Sequence, residues 1–114
     1  MRENKQTFEG GKIPPHAIEI EDSLIGSLMI DSEYFDQVAC IVNEKSFYKE
    51  SNAIIFKAIS ELYAENSSID LMTVTNRLRE NSELEKAGGF IGVTNLANLG
   101  SFSANLEHYA RIVA

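Results

Sequence analysis

The side chains in this sequence that could do chemistry are seventeen carboxylates, two histidines and one cysteine. His16 and His108 stand near opposite ends of the chain, and with Cys40 alone they give no spacing that would hold zinc. No Glu-x-x-His pair supports a di-iron site in a helical bundle. Glu107 directly precedes His108, so on a helix the two point to different faces. No Ser-His-Asp or Cys-His grouping can be assembled from spacing. Gly11-Lys12 has the ending of a phosphate-binding loop, but Gln6 replaces its first glycine and Ile13 its serine or threonine. The expectation is a chain with no catalytic, metal-binding or cofactor-binding residues, and by itself no ATPase of that class.

The carboxylates are better explained by the helices that carry them. Pro14-Pro15 leads into a helix over about 17–30, with Glu19, Glu21 and Asp22 near the positive end of its dipole. Gly26 interrupts the apolar part of that helix. A mid-helix glycine costs roughly 1 kcal/mol relative to alanine, so a second backbone is expected to pass close there. Asp31 or Ser32 is the expected cap of a second helix, in which Phe35, Val38, Ala39 and Val42 form one face. Cys40 lies in that apolar run and is read as a small buried hydrophobe with no disulfide partner. Phe47-Tyr48 is expected to plug the edge of the core.

A third helix, about 51–65, presents Asn52, Ile55, Phe56, Ile59, Leu62 and Tyr63 as one stripe and ends at Asn66-Ser67-Ser68. Asp70 is the expected N-cap of a fourth, with Leu71, Val74, Thr75 and Leu78 facing inward. A short helix over 82–87 is broken by Gly88-Gly89. Ile91, Val93, Leu96, Ala97 and Leu99 belong to another that ends near Gly100. A last helix from about Ser103 carries Leu106, Tyr109, Ala110 and Val113 on one face. That pattern runs to Ala114 without a stop signal, as in a piece of a longer protein. No stretch alternates with period two. The expected fold is all-α, a compact globule of six or seven short helices over 14–114 behind a flexible tail at 1–13.

At 114 residues the chain is long enough for one domain with its own core. No apolar run approaches the roughly 20 residues of a membrane span, and the polar N-terminus has no secretory h-region, so a cytoplasmic location is expected. Net charge is −7, with pI about 4.7. Nucleic-acid affinity rests on Lys and Arg neutralising phosphates, and the ten basic residues here are scattered. An acidic domain without a basic stripe is suited to contacting proteins.

Five short blocks resemble the N-terminal domain of bacterial replicative DNA helicases, the DnaB family. They are the proline-led helix with Glu19, Glu21, Gly26 and Asp31; Phe47-Tyr48 with Ile55-Phe56, Ile59 and Leu62; and Ile69-Asp70 with Thr73, Val74 and Leu78. Leu84, Gly88-Gly89 and Leu96-Ala97-Asn98 form the fourth, and Ser103-Ala104-Asn105 with Tyr109-Ala110-Arg111-Ile112-Val113 the fifth. Their order and spacing together carry the resemblance over about 14–113. It implies an assembly and interaction domain that precedes a RecA-like motor in a hexameric ring. It also implies self-association, binding of primase or a helicase loader, contact with DNA only through the intact helicase, and ATP and Mg only at the motor. The family often places an aromatic residue after the double glycine, where this chain has Gly92, and a histidine where it has Asn52.

The resemblance and the acidic charge together place the partner surface on 88–98 and the outer face of the last helix, with Phe90, Ile91, Gly92, Val93 and Asn98 as its candidate residues. A second reading is a helix-turn-helix regulator using Ile69 to Arg79, with Arg77 and Arg79 exposed. The net charge and Glu80, Glu83 and Glu85 oppose it. A third, a small helical enzyme or ligand-binding domain, requires a pocket with convergent polar groups.

Overall fold

Six consecutive residues of the first helix, 24–29, are buried, which only a helix surrounded by others can achieve. The computed structural model describes residues 15–100 and 106–114, with side chains from Ala17 onward. The helices are α1 (Pro15–Ile30), α2 (Phe35–Ala39), α3 (Glu50–Ala64), α4 (Leu71–Glu80), α5 (Gly89–Leu99) and α6 (Leu106–Val113). Single 3-10 turns at Ser32–Tyr34 and Glu44–Ser46 flank α2. No strand occurs among the described residues, so the all-α expectation holds. The expected tail at 1–13 and the expected start of the last helix at Ser103 lie outside the described residues.

Helix α1 is the hub and packs against α3, α4, α5 and α6. Leu24, Ile25 and Leu28 are fully buried beneath Ile55 and Ile59 of α3, Val74 and Leu78 of α4, Val93 of α5, and Leu106 and Ala110 of α6 in one continuous core. An aromatic cluster closes one side: Phe56 lies 5.6 Å from Phe35 and 5.1 Å from Phe47 between ring centroids, and Tyr63 lies 4.7 Å from Phe35. Phe47 is the expected plug, whereas Tyr48 turns outward. Tyr63, at the rim of the α3 stripe, donates its hydroxyl proton to Asp36, and that bond raises the phenol pKa.

Helix ends account for most of the local architecture. Asp70 caps α4 as expected: its carboxylate accepts from Thr73 N at 2.9 Å, and Thr73 Oγ1 accepts from Asp70 N at 2.9 Å. Both α3 and α4 end in a Schellman motif. Ser67 N donates to Leu62 O and Asn66 N to Tyr63 O, with Asn66 at φ 59°. Glu83 N donates to Leu78 O and Ser82 N to Arg79 O, with Ser82 at φ 58°. The same pattern recurs at Gly88 and Gly89, whose amides reach Glu85 O and Leu84 O. Serine is the poorest of these three residues in a left-handed conformation. Ser82→Gly is therefore expected to stabilise the domain by about 1 kcal/mol, read as a rise in the urea midpoint at unchanged slope.

Three local expectations fail. The second helix does not run from Asp31 to Val42: a 3-10 turn precedes a five-residue α2, and Asp31 makes no side-chain cap. Ending α2 at Ala39 leaves Ala39 and Cys40 outside, so Cys40 is an exposed free thiol and not a core residue. Residues 82–87 form turns instead of a helix, because the Schellman motifs at Ser82 and Gly88 consume both ends of so short a segment.

The carboxylates of α1 also have a different task from the one expected. Because α1 begins at Pro15, Glu21 and Asp22 lie in its second turn, beyond the orphan amides. Glu21 is buried and reaches the start of α3. Its Oε2 accepts from Tyr48 N at 2.8 Å, and its Oε1 accepts from Lys49 N and Asn52 Nδ2, each at 3.0 Å. Asp22 Oδ1 accepts from Asn52 Nδ2 at 2.8 Å and Lys49 Nζ at 3.2 Å. An acid of one helix thus caps the positive end of another.

Candidate protein-interaction surface

Helix α5, Gly89–Leu99, contains no charged residue in a chain where charged residues make up 24%. Its inner side is anchored by Val93 and Leu96. Its entry is set by Gly88 and Gly89, whose φ values of 106° and 72° suit glycine. Its exit is held against α1 at Gly26. A Cβ built on Gly26 would lie 1.9 Å from Leu96 O and 2.9 Å from Gly100 N, and one on Gly100 would lie 2.4 Å from Gly26 C. The close backbone approach expected at Gly26 is therefore the α1–α5 crossing, and both partners need glycine.

This seating decides which residues face outward. Ile91, Asn95, Asn98 and Leu99 follow i, i+4, i+7, i+8 along the exposed side, with Phe90 beside them. Ile91 is 74% exposed, Leu99 56% and Phe90 46%. Single exposed apolar residues are ordinary, but three on one uncharged helix make a surface able to bury apolar area against a partner. Of the five expected surface residues, Phe90, Ile91 and Asn98 are exposed and Gly92 is half-buried. Val93 is not on this surface: it is fully buried in the core, on the face of α5 turned toward α1. The expected surface at 88–98 stopped one residue short of Leu99 and did not single out Asn95 within it, although their spacing from Ile91 was the available signal.

Gly92 is open. A Cβ there would meet nothing nearer than Ala87 O at 3.8 Å, so the position admits a side chain. Gly92→Ala is expected to stabilise the domain by about 0.5 kcal/mol, measured as a shift of the denaturation midpoint. On the inner side, Thr94 Oγ1 is buried without a hydrogen-bond partner.

Among the described residues, Arg77 offers little to a phosphate backbone. Arg77 is not a free exposed cation. It bonds Glu65 Oε1 at 2.7 Å, Glu80 Oε1 at 3.2 Å and Glu61 Oε1 at 3.3 Å, tying α4 to the end of α3. These carboxylates hold the guanidinium more firmly protonated, and the hydrogen bond from Arg77 draws the Glu65 pKa below its ordinary value. Any stability from the Glu65 link is present above the usual carboxylate range and is lost as pH falls through the lowered pKa. Arg79 donates to Asn76, Arg111 pairs with Glu107 at 2.9 Å and Lys57 sits 3.9 Å from Glu83. A cleft of about 150 Å³ beside Arg77 is lined by Leu62, Ser67, Thr73, Asn76 and Glu80, but its only cation is already neutralised by that network.

His108 is exposed on α6, and the side chain of His16 lies outside those described. Among the described residues, no group of three His, Cys, Asp or Glu side chains could hold a metal ion. Among the same residues, no helix is long and apolar enough to cross a membrane.

The "Replicative DNA helicase DnaB" of Rhodothermus marinus is 37% identical over 106 residues, which is 93% of this chain and 11% of that protein. The protein of the same name from Geobacillus stearothermophilus is 33% identical over 102 residues, 90% of this chain and 22% of that protein. The chain thus spans a quarter or less of the length of these relatives. The crystal structure of the N-terminal domain of DnaB helicase from Mycobacterium tuberculosis matches 85% of this chain and 69% of its own, with a TM-score of 0.80 at 26% identity. The family model "DnaB-like helicase N terminal domain" matches residues 13–114, from just before α1 through α6. An all-helical domain centred on α1, matched along nearly its whole length in sequence and in fold, belongs to the DnaB-like helicase N-terminal domain family.

Proposed function

We propose that this domain is the assembly and protein-interaction module of a cytoplasmic replicative helicase, and that it does no chemistry of its own. In this reading it helps build a hexameric ring and receives primase or a helicase loader. ATP and Mg would act at a motor domain, and DNA would be met only by the intact helicase. The observation that carries the proposal is the uncharged outer face of α5, exposed on an acidic domain of this family. The paired state of Arg77 favours it over a helix-turn-helix regulator.

The test is calorimetric titration of this domain with the C-terminal domain of its cognate primase, and separately with its loader. Ile91→Asp and Phe90→Ala are expected to weaken binding at least tenfold, about 1.4 kcal/mol, with unchanged helicity and midpoint. Gly92→Phe, which adds an apolar anchor on open space, is expected to tighten it. Unchanged affinity in folded Ile91→Asp and Phe90→Ala variants would remove α5 from the interface. Duplex binding at low salt with a steep salt dependence would favour the regulator instead. Val93→Asp is unsuitable as a probe, because it would place a charge in the core.

A further inference from the structure

We draw no further inference here: the strongest candidate, the uncharged outer face of α5 around Ile91 and Leu99, belongs to the surface already described, and nothing in the structure shows what else would cover it.

Discussion

Glu21→Ala is expected to destabilise the domain by about 3 kcal/mol, since each buried donor left without a partner costs roughly 1–3 kcal/mol. The substitution strands Tyr48 N and Lys49 N and removes one of the two acceptors of Asn52 Nδ2. The loss is large against the roughly 5–15 kcal/mol of a typical domain. Glu21→Gln keeps the shape and one acceptor oxygen, so a smaller loss is expected. Asn52→Asp should be the more damaging change at this junction. Asn52 is fully buried and its Nδ2 touches both acids, so an aspartate there removes the bridging donor and sets a third carboxylate against the other two. Chemical denaturation followed by circular dichroism measures all three. Amide exchange adds a local readout, in which protection at Tyr48 and Lys49 falls before that of the α1 core. A Glu21→Ala variant within about 0.5 kcal/mol of the parent, the range of an ordinary surface change, would show that the cap contributes little.

That junction marks where sequence reasoning reached its limit. The acids at 19, 21 and 22 were visible, and the dipole of their own helix was the nearest explanation. The actual partners of Glu21 and Asp22 lie 27 to 31 residues away, and no local pattern encodes such a pairing. Asp70 was legible because its partner Thr73 is three residues on. Helix α2 misled for a related reason. Phe35, Val38 and Val42 are all buried, as one helical face demands, yet regular helix ends at Ala39, and Val42 is reached through one further turn in which its N–H donates to Val38 O at 2.9 Å. Periodicity records which residues are inside without recording that the chain between them is helical, and Cys40 was misplaced with it.

The candidate surface on α5 was legible in part. Its helix is uncharged and has apolar residues on more than one side, so the spacing of Ile91, Val93 and Leu99 alone could not say which faces the core. What decides is the seating of α5 on α1. Its key residue, Gly26, could be read as a close approach, but the backbone that approaches it could not be named. Once Leu96 O lies over Gly26, Val93 turns inward and Ile91 and Leu99 turn out.

Gly26→Ala therefore separates packing from propensity. Helix propensity alone favours alanine by roughly 1 kcal/mol. The added methyl would lie 1.9 Å from Leu96 O and 2.9 Å from Gly100 N, both backbone atoms that move only if α5 shifts off α1. Overpacking of this kind costs about 1–3 kcal/mol, occasionally more, because the obstruction cannot rotate away. A net destabilisation of about 2 kcal/mol is expected, and Gly26→Val should be worse. Gly92→Ala, the same change in a helix but facing open space, should have the opposite sign. Urea midpoints for the two variants test the contrast, and a stabilising Gly26→Ala would mean that the crossing has slack the structure does not show. Because the crossing also aims the outer face of α5, a folded Gly26→Ala domain should bind its partner more weakly although Gly26 never touches that partner. A mutation confined to the exposed stripe should weaken binding without moving the midpoint, so the two variants distinguish the surface from the backbone contact that presents it.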